Sequence, residues 1–344
     1  MAKKLLFDYN HEELEEKLVE IGEKKYRSAQ ILGWLYDGAV STDEMTNIPI
    51  TLRNKIDEYF CLKSLQIEKK YVSKIDNTIK YVLRLNDGNV IEGVLMEYKY
   101  GYSVCISCQV GCRMGCTFCA SSNAGFDRNL SPGEMVEQVI RIQNDKGIKV
   151  RNVVIMGIGE PFDNYENVIK FVKIANSHKG LNIGARKITI STCGILPGII
   201  RFSKENSQVN LSISLHAPND EVRDMFMPIN KKYSIDKIIR ACKIYTRKTN
   251  RRITFEYALI KDVNDTIDKA SELAQKIKGI LCYVNLIVYN KIEKGSFDKS
   301  DLQRAMKFRD ILMKKGIETT IRRELGCEIN AACGQLRATI KSKK

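Results

Sequence analysis

The sequence predicts an α/β fold, a partial (βα)6 barrel joined to a small N-terminal helical domain by a short β linker segment. Three observations predict it. From about residue 100 onward, apolar strand-like runs alternate with helical ones, which implies a parallel sheet covered by helices. Residues 1–65 carry apolar side chains at helical spacing instead. Between them, 66–98 alternates in polarity around Asn86-Asp87-Gly88, a hairpin turn signal. The expected divisions are therefore 1–65, 66–98 and 99–344.

Each element has its own signal. HEELEEKLVEIGEKK and RSAQILGWLYDG read as amphipathic helices, with Ile31, Trp34 and Leu35 on one face and Trp34 expected in the core. YVSKIDNTIKYVLRL and VIEGVLMEY read as paired strands. The barrel strands are SVCIS, NVVIMG, KITIST, VNLSISL, ITFEYAL, YVNLIV and ETTIR. Ser131-Pro132-Gly133-Glu134 opens a helix as a capping box with proline at its first turn. Val168, Phe171, Val172 and Ala175 mark one apolar helix face, and Ile267, Ala270, Ala274 and Ile277 another. In such folds ligands sit at the carboxyl ends of the strands. No internal repeat is visible, and the only low-complexity piece is the KSKK tail, residues 341–344, which lies outside the described residues.

Composition narrows the class. No run approaches the roughly 18–20 apolar residues of a membrane span, and the N-terminus has no apolar leader, so cytoplasm is the expected location. The net charge of +15 favours a nucleic-acid partner, because neutralised phosphates release counterions. Arg247, Lys248, Arg251 and Arg252 are candidate phosphate contacts, each of which is ordinarily read as solvated surface. Eleven cysteines, an odd number without an export signal, argue against a disulfide framework. Five of them fall between Cys105 and Cys119, and that clustering points to metal. Cys61, Cys242 and Cys282 read as packing.

Cys112, Cys116 and Cys119 form C-x3-C-x2-C on the loop after the first barrel strand. Three close thiolates suit three irons of a [4Fe–4S] cubane and leave the fourth open to an amine and a carboxylate. The alternative is structural zinc with Cys108 as fourth ligand, a spacing unusual for zinc.

CISCQVGCRMGCTFC, GFDRNLSPGEM, MGIGEPFDN, STCGILPG, SLHAPND, MPIN and AACGQL, with EKKYRSAQILGWLYDG and DEMTNIP nearer the N-terminus, resemble the RlmN branch of the RlmN/Cfr RNA methyltransferases in the radical S-adenosylmethionine superfamily. The resemblance covers nearly the whole chain. It implies a radical S-adenosylmethionine barrel, an RNA-binding role for residues 1–65, and Cys112, Cys116 and Cys119 as cluster ligands. It implies that Gly159 and Glu160 hold the amino end of S-adenosylmethionine, and that Ser191, Ser214, Leu215, His216 and Asn290 contact it. Cys333 matches the cysteine that accepts a methyl group, Cys105 its disulfide partner on product release, and Glu92 a proton acceptor. Two S-adenosylmethionine molecules are implied per turnover, one methylating Cys333 and one cleaved to a radical that activates that methyl. The implied substrates are adenosine 2503 of 23S rRNA and adenosine 37 of tRNAs, methylated at carbon 2. An external flavodoxin-like one-electron reductant and a monomeric state are expected. Cys108, Cys193 and Leu-Gly-Cys327-Glu depart from the usual pattern without removing an assigned group. Two rivals remain. A Cfr-like enzyme would methylate carbon 8, against which Pro161 and the N-terminal segment argue. A zinc-stabilised RNA-binding module would have no chemistry.

Overall fold

The computed structural model describes residues 3–292 and 295–340. Ten strands form one sheet: β1 Leu65–Val72, β2 Ile79–Leu85, β3 Val90–Tyr98, β4 Gly101–Ile106, β5 Val150–Ile155, β6 Ile188–Thr192, β7 Asn210–Ser214, β8 Ile253–Leu259, β9 Cys282–Val288 and β10 Thr319–Ile321. They neighbour one another in chain order. β4 to β10 run parallel, and β1 to β4 antiparallel. Every expected barrel strand is present. The expected linker strands do not stand apart: β3 pairs along β4, with Val94 opposite Cys105. The physical reason is that β4 would otherwise present an unpaired backbone edge.

The N-terminal helices are α1 His11–Glu20, α2 Arg27–Tyr36 and α3 Ile50–Tyr59. Leu14, Leu18, Ile31, Leu32, Leu35, Leu52 and Ile56 are buried between them. Trp34 is half-buried at the rim, not in the core, and its indole N–H donates to Asn47 Oδ1 at 2.7 Å. Leu32 takes the inner place, since the indole keeps its polar edge near water. Two further helices follow the first barrel strand, α4 Ala120–Asn123 and α5 Pro132–Lys146. Later crossovers use Tyr165–Asn176, Leu196–Phe202, Ile235–Thr249, Ile267–Ile277 and Leu302–Lys314. Ile267, expected on an apolar face, is 58% exposed, and Leu273 packs there instead. It is the first residue of its helix, where the side chain points back toward the N-terminus and past the packed layer.

The start of α5 docks the N-terminal segment. Asp8 Oδ1 accepts the Gly133 N–H at 2.8 Å, in keeping with an acidic group at a helix N-terminus. A Cβ at Gly133 would meet Leu5 Cδ2 at 2.7 Å and the backbone of Phe7 and Asp8 at 2.8 Å, so the capping box needs glycine at this step. Further along α5, buried Glu137 accepts from the Ser64 N–H at 2.7 Å, the Ser64 hydroxyl and the Arg141 guanidinium.

The two edge strands of the sheet, β10 and β1, do not pair with each other, and the chain after β10 crosses to the antiparallel strands. Gly326 N–H donates to Asp76 Oδ2 at 2.8 Å, and Glu328 accepts from Ser73 Oγ and the Lys74 N–H. The crossing ends on β3, where Thr339 and Val90 exchange two backbone hydrogen bonds of 3.1 Å.

Replacing Glu137 with alanine strands Arg141 and the Ser64 N–H in a buried setting. The expected loss is about 3 kcal/mol, read as a lower urea midpoint. Ser64→Ala, which removes only one of the donors, should cost less.

Candidate active site

The three cysteines lie on the loop between the short strands Gln109–Gly111 and Phe126–Asn129, which pair antiparallel. Backbone hydrogen bonds shape it: Cys112 N–H to Gly125 O at 2.7 Å, Thr117 N–H to Phe226 O at 3.0 Å and Cys119 N–H to Cys116 O at 3.2 Å. Cys112, Cys116 and Cys119 line one cleft with Gly159, Glu160, Ser191, Ser214, His216, Asn290 and Cys333. Burial pushes the Cys112 thiol up to about 12, so a bound metal is needed to hold it as thiolate. Cys108 is buried and does not line this cleft. Its N–H donates to Ile158 O and its carbonyl accepts from the Leu130 N–H. Among the described residues, no group of three or more His, Cys, Asp or Glu side chains converges on a point that suits a single metal ion. A cubane takes each thiolate on a different iron and needs no such convergence. Three thiols open on one side fit a cluster with a free iron better than a closed tetrahedral zinc.

The opposite wall is built from strand ends. Gly159 has φ +108°, and a Cβ there would meet Gln109 Cβ at 2.6 Å, so only glycine turns the chain this close to the Gln109 backbone. That turn buries Glu160, whose Oε2 accepts the Cys193 N–H at 2.7 Å and Oε1 the Phe162 N–H at 2.9 Å. Burial raises its pKa against these bonds, and an ammonium group arriving in the cleft would satisfy the remaining lone pairs. Ser191 and Ser214 hydroxyls stand 3.4 Å apart across β6 and β7. His216 has φ +56°. Its Nδ1 accepts the Ala258 N–H at 2.9 Å, which leaves the ring proton of the neutral form on Nε2. Burial, with Arg223 nearby, lowers its pKa to about 3.

Leu215 is placed differently from its neighbours. Its side chain is fully buried outside the cleft, its N–H donates to Glu256 O at 3.1 Å and its carbonyl accepts from Arg223 Nε at 3.1 Å. Asn290 is buried, and its Nδ2 donates to Cys333 O at 3.3 Å.

Cys333 lines the cleft and also an adjoining inner pocket that holds Cys105. The C-terminal crossing puts it there: Ala120 N–H donates to Gly334 O at 2.7 Å, and Ser121 Oγ to Leu336 O at 2.7 Å. All eleven cysteines are free, Cys105 and Cys333 among them. Glu92 is buried rather than an exposed strand carboxylate. Its Oε2 accepts the Arg337 N–H at 3.0 Å, Lys80 Nζ lies 3.4 Å from Oε1, and burial raises its pKa. It lies behind the C-terminal crossing and lines neither the cleft nor the inner pocket.

Sequence reasoning missed three charged groups. Glu256 on β8 is buried in the cleft and accepts from Asn285 Nδ2 at 2.8 Å. A carboxylate in the middle of the apolar run ITFEYAL was its signal. Arg322, just past β10, is half-buried where the cleft, the inner pocket and a lower cavity meet. Arg223 is fully buried and donates to the carbonyls of Cys193 at 2.6 Å and Ser214 at 3.2 Å, which locks the ends of β6 and β7 together. Of the candidate phosphate contacts, Arg251 is tied to Gln208 and Asn210 and Arg252 to Glu318, while Arg247 and Lys248 are exposed. Cys242 packs fully buried, as expected, and Cys61 and Cys282 are half-buried.

Known proteins share this arrangement. A family model described as the Radical SAM superfamily matches residues 106–274, and one described as the ribosomal RNA large subunit methyltransferase N-terminal domain matches residues 5–62. The chain is 51% identical over 332 residues to a probable dual-specificity RNA methyltransferase RlmN of Clostridium tetani, covering 96% of this chain and 95% of that one. It is 50% identical over 343 residues to the protein of the same description from Clostridioides difficile, covering 99% and 100%. A crystal structure of a radical SAM methyltransferase from Sphaerobacter thermophilus superposes with a TM-score of 0.93 at 44% identity, over 97% of this chain and 99% of that one.

His216 links the site to pH. Unfolded, it takes a proton near 6.5; folded, it resists down to about 3. Its neutral packing therefore contributes fully above about 6.5 and is lost progressively as pH falls toward 3. Between pH 7 and pH 4 the urea midpoint should fall more steeply for the wild type than for His216→Gln. Equal slopes would show that His216 titrates as a free imidazole.

Proposed function

This chain belongs to the RlmN family of radical S-adenosylmethionine RNA methyltransferases, and from that premise we propose that it methylates carbon 2 of adenosine 2503 in 23S rRNA and of adenosine 37 in tRNAs through a methylated Cys333. The observation that carries this reading is that one thiol, Cys333, borders both the three-cysteine cleft and the pocket of Cys105. A methyl carrier has to meet a methyl donor on one side and a releasing thiol on the other.

When bound, the cluster and two S-adenosylmethionine molecules per turnover supply the methyl group and the one-electron chemistry that a non-nucleophilic ring carbon requires. The chain's own residues do the rest. Cys112, Cys116 and Cys119 hold three irons. Gly159 lets Glu160 reach the cofactor's ammonium. Ser191, Ser214, Asn290 and the His216 Nε2–H orient its polar groups, with Leu215 acting only through the backbone it anchors. Cys333 takes the methyl, and Cys105 closes on Cys333 as a disulfide to free the product. Glu92, matched to the family's proton acceptor, would take the carbon 2 proton only with the C-terminal crossing that covers it displaced as RNA enters, since it lines neither the cleft nor the inner pocket.

The net charge of +15 supports an RNA partner, and the N-terminal domain supplies part of the grip. An external flavodoxin-like protein delivers electrons to a single chain in the cytoplasm. Among the described residues no helix is long and apolar enough to cross a membrane.

Prepared without oxygen, the protein should be brown and contain iron and sulfide; a colourless protein with one zinc that takes up no cluster would refute the reading. Cys333→Ala should keep its cluster and lose RNA methylation by at least about 100-fold, and retained turnover would overturn the carrier role. Mass spectrometry of the modified RNA should find 2-methyladenosine. Finding 8-methyladenosine would move the assignment to the Cfr-like reaction.

A further inference from the structure

The inner pocket joins two thiols to one cation. Cys105 on β4, Cys333 on the C-terminal crossing and Arg322 all line it. The charged and titratable groups around Cys105 are few. Tyr98 stands on the adjacent β3, and burial raises its pKa so that it stays neutral. Arg323 is exposed, and Glu324 is paired with Lys299 at 2.7 Å. Arg322 lines the same pocket and is held charged by Cys333 first and then by Glu256, Tyr98 and Cys105. Burial pushes the Cys105 thiol up to about 12; the charge of Cys333 adds to the rise, while Arg322 and the Met156 N–H oppose it. One guanidinium thus shares a pocket with two sulfurs.

We propose that Arg322 is a positioning cation shared in turn by the two thiols, serving Cys333 first and passing to Cys105 once Cys333 has become a thioether. This rests on the methyl-carrier reading. A thioether sulfur carries no charge, so methylation removes both the competitor and the repulsion at Cys105. The same event that loads the methyl therefore prepares the thiol that later releases it. In the release step the Cys105 thiolate attacks Cys333 Sγ. The S–S bond forms and the Cys333 S–CH2 bond breaks with its electron pair left on carbon, which takes a proton from water to become methyl. The two sulfurs are oxidised by two electrons and the carbon is reduced by two. Glu256 tempers the field by sharing Arg322.

The test labels Cys105 with methyl methanethiosulfonate across pH in the cluster-loaded full chain and reads the Cys105 peptide by mass spectrometry. Cys333→Ala mimics an uncharged sulfur. Its labelling midpoint should lie about one pH unit or more below that of the wild type. Adding Arg322→Gln should return it upward by about the same amount, and Arg322→Lys should restore the low value. Adding Glu256→Gln to Cys333→Ala should lower the midpoint further. Midpoints that ignore Arg322, or a Cys105 that resists the reagent at every pH, overturn the proposal. The labelling involves no RNA, whereas failure of the carrier reading appears separately as methylation retained by Cys333→Ala.

Discussion

The backbone pair between Val90 and Thr339 is the interaction on which the rest of the site depends. The sheet does not close: β10 is one edge and β1 the other, and the chain after β10 crosses back to the antiparallel strands. Anchoring the crossing on β3 stretches residues 326–339 over the opening. Cys333 rides on that stretch, and the bonds from Ala120 and Ser121 press it against the cysteine loop. Without the anchor, Cys333 belongs to a tail; with it, the thiol meets both the cleft and Cys105.

The antiparallel strands β1 to β3 acquire a purpose from this. They give the crossing something to pair with, and they carry Glu92 and Lys80 to its underside. Such a strand extension also removes a bare edge that would otherwise invite association. The helical N-terminal domain is held separately, through Asp8 at the start of α5 and the glycine that lets the two backbones touch.

Charge inside the barrel follows a different logic from charge on its surface. Arg223, Glu256 and Arg322 each face carbonyls, amides or thiols rather than an exclusive ion-pair partner. Such groups cost desolvation energy, and their value lies in fixing strand ends and biasing sulfur chemistry. The surface arginines beside them, Arg251 and Arg252, are tied off on Gln208, Asn210 and Glu318, so local basic sequence alone was a poor guide to where the field acts.

The strand order, the six crossovers, the three-cysteine loop and the capping box of α5 were legible in the sequence, because each rests on spacing along the chain: alternation, helical period, a proline and its cap. Trp34 and Ile267 were misjudged because the same period cannot say how far a neighbouring layer extends. The role of Leu215 and the burial of Glu92 were equally invisible, since both depend on where a neighbour's backbone bonds go. By itself the sequence determined the fold class and the family, and it singled out the three-cysteine loop. The resemblance paired Cys105 with Cys333, separated by more than half the chain, and only the tertiary structure decided that they share a pocket with Arg322. Local pattern encodes elements, whereas the meeting of distant thiols is set by the path a chain must take across an unclosed sheet.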